Sequence, residues 1–204
     1  LPPGVSAGAA GPAAGAEEQL EFSWAGETAR ITGIVIHQIL QQVDAIGWDA
    51  WRRRAAFDAQ WRNQLLENGL PRHNLQAALT QIAAAIDNAR DDPRAAWIFS
   101  PAHRDIRAEW PLTGVVEGRI AHVVIDRSFV DEHGARWVID FKSSRHEGGN
   151  LDAFLDRERE RHQPQMALYA EVVGALRAEQ VKLGLYFPAL RGWREWKSHA
   201  PGAP

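Results

Sequence analysis

Helical spacing of apolar residues dominates the chain up to about residue 90. Apolar positions from Ile34 to Val43 recur near helical spacing and stop at Gly47, which predicts a first helix. The next segment carries tryptophans on one helical stripe, and a third segment ends before a proline. Two further helices are therefore predicted, over 48–69 and 74–90.

The pattern then changes to short runs that are rich in β-branched and aromatic residues. Three successive antiparallel strands are predicted over 109–116, 120–130 and 135–144. A long amphipathic helix over 152–178 and a final strand over 181–190 follow. This order predicts an α/β or α+β fold, with a small mixed sheet covered by helices and an additional helical region at the N-terminal end.

The composition narrows the chemistry that this chain can carry. The 204 residues are 45% hydrophobic, enough for one domain with a core. The chain has no cysteine, which removes disulfides, thiolate zinc sites, iron–sulfur clusters and cysteine nucleophiles. Any metal would be held by His, Asp, Glu or carbonyl oxygen, which favours Mg²⁺ or Mn²⁺ and leaves zinc open. The net charge of −3 argues mildly against a stand-alone, non-specific nucleic-acid binder.

The N-terminal segment differs from the rest in composition. Residues 1–20 are rich in Gly, Ala and Pro and are interpreted as a flexible linker to a longer protein, without the features of a signal peptide. Residues 21–204 are expected to form a single domain, with a helical part over 30–100 and a catalytic core over 105–190. No apolar run reaches the ~20 residues of a membrane span, so we expect no contact with a membrane.

Two charged residues interrupt the third predicted strand. In WVIDFKSS, alternation places Trp137, Ile139 and Phe141 on one face, and Asp140 and Lys142 on the other. Charged side chains are costly to bury unless they are paired or bound to a metal. The plain alternative is an exposed ion pair on an edge strand, which contributes little.

The second predicted strand supplies another carboxylate. A loop over 132–134, with Gly134 in the left-handed conformation, would set Asp126 opposite Asp140, with Cβ atoms ~4.5–5.5 Å apart. Two carboxylates at that distance repel each other unless a cation lies between them, and Mg²⁺ fits there. Lys142 would reach the same water or phosphate. Alternation along this second strand places Val123, Ile125 and Phe129 together on the face opposite to Asp126.

Four motifs occur in a fixed order along the chain. They are Gly33…His37 on the first helix, Asp126 on the second strand, Asp140–Phe141–Lys142 on the third, and Gln165…Tyr169 on the long helix. In this order they resemble the nuclease domain of RecB- and AddA-type helicase–nucleases, in the PD-(D/E)XK superfamily. The glycine that this family usually has shortly before the first aspartate is replaced here by Val123. The resemblance implies a restriction-endonuclease-like αβββαβ core.

The resemblance also implies a role for each matching residue. Mg²⁺, or Mn²⁺ in its place, would be held by His37, Asp126, Asp140 and the carbonyl of Phe141. Lys142 would position and activate the attacking water. On the long helix, the residues expected to line the path of the DNA strand are Gln165 and Tyr169.

The function implied by the resemblance is a Mg²⁺-dependent DNA exonuclease that acts in end processing and recombinational repair. Its substrate would be a DNA single strand or duplex end. A UvrD-like helicase domain would lie upstream in the same polypeptide, an AddB- or RecC-like subunit could be a partner, and the protein would be bacterial and cytoplasmic. Two alternatives stay open: a catalytically inactive nuclease fold that binds DNA or a partner, and a Mg²⁺ phosphatase of small substrates.

Several further residues are candidates for lesser roles. Glu109, before the first strand, is either another acid near the metal or a solvated strand end. Glu158 and His162 extend the helical stripe of Gln165 and Tyr169, which could equally be an ordinary polar face.

Overall fold

The computed structural model describes residues 14–52, 57–146 and 148–198. The N-terminal half is helical, as the apolar spacing predicts. Its helices are α1 (Ala14–Ile46), α2 (Trp48–Arg52), α3 (Phe57–Glu67), α4 (Leu75–Arg90) and α5 (Pro93–Ile98). A 3-10 turn, Arg72–Asn74, precedes α4.

The predicted helices match these elements with some differences in their bounds. Helix α4 confirms the prediction over 74–90, and the prediction over 48–69 corresponds to α2 and α3. Helix α1 begins at Ala14 and so includes part of the segment 1–20 that was interpreted as a linker. The rest of that segment lies outside the described residues.

A five-stranded mixed sheet forms the second half of the fold. Its strands are β1 (Arg104–Val116), β2 (Arg119–Val130), β3 (Arg136–Phe141), β4 (Val181–Phe187) and β5 (Gly192–Lys197), side by side in sequence order. All neighbours pair antiparallel except β3 and β4, which are parallel and are connected by helix α6 (Leu151–Leu176). The predicted α/β class and helix-covered mixed sheet are confirmed.

Strand β5 was not predicted, and the preceding strand was predicted too long. Strand β4 ends at Phe187 because Pro188 opens a 3-10 turn, and Arg191 then adopts a left-handed conformation, with φ of 48°. This turn returns the chain as a short edge strand, GWREWK, whose charged residues hide the strand pattern. The predicted strand over 135–144 is also shorter, because β3 ends at Phe141.

Helices cover both faces of the sheet, so the protein has two cores. Helices α1 and α4 bury Trp137, Ile139 and Phe141 on one face. Helix α6 buries Val138 and Leu183 on the other. All six residues of β3 are buried, which confirms that it is a central strand and excludes the exposed edge pair considered above.

One prediction about β2 is wrong. Val123 and Ile125 pack on the α6 face with Val138, whereas Phe129 packs on the opposite face with Trp137. Strict alternation would keep the three β2 residues together. The change of face falls between Ile125 and Phe129, next to Asp126.

No helix among the described residues is long and apolar enough to cross a membrane.

Candidate active site

The candidate site lies where β2 and β3 end between helices α1 and α6. The hairpin that links these strands has the predicted register, because Arg127 pairs with Ile139 and the loop glycine, Gly134, has φ of 81°. Continuing this register by one residue places Asp126 opposite Asp140. The other predicted residues come from neighbouring elements: His37 from α1, Phe141 from β3, Lys142 from the segment after it, and Gln165 and Tyr169 from α6.

Asp126 is held by the backbone of β3. Its Oδ2 accepts a hydrogen bond from the N–H of Phe141 at 2.7 Å, just beyond the last paired residues of the two strands. His37 Nδ1 lies 3.6 Å from the same oxygen. The His37 ring also packs edge-on against the Phe141 ring, with centroids 6.0 Å apart. Helix α1 and strand β3 therefore both contact this carboxylate.

Asp140 and Lys142 form an ion pair that α6 braces. Lys142 Nζ lies 2.8 Å from Asp140 Oδ2 and donates to Gln165 Oε1 at 3.3 Å. The Gln165 amide nitrogen donates to the hydroxyl of Tyr169 at 2.7 Å and to Asp140 Oδ1 at 3.4 Å. Gln165 thus contacts both members of the pair, and Tyr169 fixes Gln165.

Gly33 explains why a glycine stands one turn before His37. A Cβ at this position would lie 2.5 Å from Ser143 Oγ, well inside van der Waals contact. A glycine lets α1 pack this closely against Ser143 without displacing the serine side chain. This close approach helps to bring His37 to Asp126.

A protein-family comparison agrees with this arrangement. The model of a family described as the PD-(D/E)XK nuclease superfamily matches residues 14–198. The chain belongs to the PD-(D/E)XK nuclease superfamily. A similar solved structure, the crystal structure of SSO0001, shares 13% sequence identity over 81% of this chain and 79% of that chain, with a TM-score of 0.35. No curated protein is significantly similar in sequence.

Burial dominates the electrostatics of this PD-(D/E)XK site. Burial, and then the charge of Asp140, raise the pKa of Asp126 to about 8, against the opposing effects of the Phe141 N–H and Lys142. Burial likewise lowers the pKa of His37 and raises the pKa of the Tyr169 hydroxyl. Without a further positive charge, this site therefore favours a protonated Asp126 and a neutral His37 at neutral pH.

The donor atoms fit a hard divalent cation, although they are turned toward protein partners. Among the described residues, no three His, Asp or Glu side chains are grouped so as to hold a metal. The reason is local: Asp126 faces the Phe141 N–H, and Asp140 faces Lys142. Asp140 Oδ2 is buried, and the ammonium of Lys142 faces it at 2.8 Å. Two largely buried carboxylates whose charges repel each other suit Mg²⁺ or Mn²⁺.

Glu109 extends the row of acids onto β1. The pairs of Ala108 with Arg127 and of Trp110 with Ile125 place Glu109 across from Asp126, on the side away from Asp140. Its side chain is exposed, and its charge contributes to raising the pKa of both Asp126 and His37. Glu109 therefore acts on the site through its charge. Its position in the sequence could not decide between an acid near the site and a solvated strand end.

A second polar cluster adjoins Lys142 on α6. Glu158 is buried, and its Oε2 accepts a hydrogen bond from Ser144 Oγ at 2.7 Å. His162 Nε2 lies 3.7 Å from the same oxygen, and burial and then the charge of Lys142 lower the pKa of His162. Glu158 thus fixes the segment after Lys142 to α6. Sequence reasoning placed Glu158 on the correct helical stripe but gave no reason to expect its contact with Ser144.

Proposed function

We propose that this chain is a divalent-metal-dependent DNA nuclease that hydrolyses phosphodiester bonds. The observation that carries this proposal is the convergence of His37, Asp126, Asp140 and Lys142 at the end of one buried strand. A structural ion pair needs no second aspartate and no histidine beside it. Metal-assisted attack on a phosphate uses this combination of acids and an ammonium.

Four groups would hold the cation: His37, Asp126, Asp140 and the carbonyl of Phe141. A bound Mg²⁺ or Mn²⁺ supplies a Lewis acid for the phosphate oxygen and lowers the pKa of a water ligand. Because burial holds the pKa of Asp126 near 8, this carboxyl must lose its proton before it can act as a ligand. The Asp126 proton is therefore released when the cation binds at neutral pH.

Lys142 would act on the attacking water and on the charge of the transition state. In the reaction, the water gives up one proton as its oxygen forms a bond to phosphorus. The bond from phosphorus to the 3′ oxygen breaks, and that oxygen takes up one proton, so the proton count balances. Gln165 contacts both Lys142 and Asp140, so it orients the ammonium while the negative charge develops. Tyr169 keeps Gln165 in place.

The more specific assignment rests on the four motifs. We infer an exonuclease of the RecB or AddA type, working on DNA ends behind a helicase domain of the same polypeptide in repair and recombination. The Gly33, His37, Gln165 and Tyr169 positions support this assignment, because they are typical of those nucleases. The competing proposal is a catalytically inactive nuclease fold that only binds DNA. The presence of all three charged residues, Asp126, Asp140 and Lys142, counts against it.

A cleavage assay tests the proposal. End-labelled linear DNA and circular DNA are incubated with the chain in Mg²⁺, Mn²⁺ or EDTA. The proposal requires metal-dependent cleavage, and an exonuclease degrades the linear DNA while sparing the closed circle. If the folded protein leaves the DNA intact under every condition, the nuclease function is refuted. The inactive DNA-binding fold would then be the remaining proposal.

A further inference from the structure

A cavity of about 200 Å³ opens beside the candidate site and has no role in the mechanism above. Its walls come from α1, α4, the segment after Lys142, and the turn Pro188–Leu190. The inner wall is formed by the buried side chains of Thr32, Ile36 and Ala85. A partly open, largely apolar cavity with polar groups among its lining residues is typical of small-ligand sites.

The cavity and the catalytic residues share two structural elements. Ser143, which lines the cavity, directly follows Lys142 and packs against Gly33. On α1, Thr32 and Ile36 line the cavity and directly precede Gly33 and His37 in sequence. The face of α1 that lines the cavity is therefore next to the face that carries Gly33 and His37. The lining of the cavity therefore lies one residue along the chain from Lys142 on one element and from His37 on the other.

The rim carries the groups that a nucleotide needs. Arg145 is exposed at the opening, where it can pair with a backbone phosphate. The His146 ring also lines the cavity and is itself stacked on Phe154, with centroids 4.6 Å apart. Gln81 contributes an amide that can donate to, or accept from, the edge of a base.

The size of the cavity restricts its occupant to one small group. Sites for drug-sized molecules have volumes of roughly 300–1,000 Å³, so the space here suits a single flat ring system. A base that is paired and stacked in a duplex cannot enter such a space, whereas an unpaired base can.

We propose that this cavity receives one unpaired nucleobase of the DNA strand that is cut, with its phosphate against Arg145. This proposal rests on the proposed nuclease function and specifies its substrate as single-stranded at that nucleotide. The base lies on the wall formed by Ile36 and Ala85, beside the ring of His146. The cavity thereby sets which phosphodiester bond reaches Lys142.

Two exposed alanines of α4 provide a matched test. Ala84 lines the cavity, and its neighbour Ala83 does not, so Ala84→Phe fills the space and Ala83→Phe is the control. Single-stranded oligonucleotides carry one abasic site, moved along the strand one position at a time. Cleavage is mapped in Mg²⁺, and binding is measured by fluorescence anisotropy in EDTA.

The parental chain and Ala83→Phe should lose binding by about tenfold when the abasic site lies at one fixed distance from the cut, the scale of one base stacked on a ring. Ala84→Phe should bind intact DNA about tenfold more weakly, and the abasic site should then have no further effect. If Ala84→Phe does not fold, Ala29→Phe fills the cavity from α1.

Equal binding and equal abasic profiles for the two phenylalanine variants would overturn the cavity proposal while leaving cleavage intact. If no variant cuts DNA but Ala84→Phe alone loses abasic-sensitive binding, the cavity proposal stands and the nuclease proposal falls.

Discussion

Asp126 accepts a hydrogen bond from the backbone N–H of Phe141 at 2.7 Å, at the point where the pairing of β2 and β3 ends. The carboxylate of Asp126 thus accepts a hydrogen bond from a backbone N–H of β3, as a backbone carbonyl of a neighbouring strand would in a regular sheet. This contact fixes the Asp126 carboxylate beside Asp140, and the mutual repulsion of the two acids is the property that a cation would relieve.

Lys142 is expected to be needed for cleavage but not for cation binding. Lys142→Ala should lower kcat by about 100-fold or more, the scale of losing one preorganised charge in the transition state. Lys197→Ala changes an exposed lysine on β5 and should cut at the parental rate. Single-turnover cleavage of labelled DNA measures both variants, and parental cleavage by Lys142→Ala would exclude the proposed role.

Asp126 should make the stability of the metal-free protein depend on pH. Its pKa is about 8 in the folded chain and about 4 in the unfolded chain, so the folded state holds the extra proton between these values. Stability therefore falls as the pH rises from about 4 to about 8.

Asp126→Asn removes this loss, because asparagine does not ionise. The variant should exceed the parent in stability at pH 8 by at least about 1.4 kcal/mol, or roughly 3 °C or more in Tm. Near pH 4 this titration no longer contributes to the difference between the two proteins. Thermal melts in EDTA measure the difference, and a gap in Tm that stays constant between pH 4 and pH 8 would be inconsistent with a raised pKa.

A side chain at position 33 should destabilise the protein while Ser143 is present. Gly33→Ala places a Cβ 2.5 Å from Ser143 Oγ, and overpacking of this kind costs about 1–3 kcal/mol. Adding Ser143→Ala removes the closest atom and should recover part of both stability and cleavage. Gly26→Ala, in the same helix with nothing within 4 Å of the new Cβ, is the matched control and should not destabilise. Denaturant unfolding of the parent, Gly33→Ala, Ser143→Ala and the double variant completes the cycle. Additive effects of the two substitutions would exclude the contact.

The sequence was informative where one local rule decided the outcome. The register of the β2–β3 hairpin followed from loop length and Gly134, and the burial of β3 followed from its apolar alternation. The alternation rule failed next to Asp126, where strand β2 changes face, so that Phe129 packs on the opposite side of the sheet from Ile125. Pairwise contacts between distant segments were equally hidden: neither the Gly33–Ser143 approach nor the Ser144–Glu158 hydrogen bond leaves a local signal.

The most direct measurement is a titration of the protein with Mn²⁺ at pH 8, followed by electron paramagnetic resonance of the free ion. The parental chain and the control Asp49→Asn, which changes an exposed acid on α2, should show saturable binding. Asp140→Asn should weaken that binding by about tenfold or more. Parental affinity in Asp140→Asn, or no saturable binding in the folded parent, would contradict a cation site between Asp126 and Asp140.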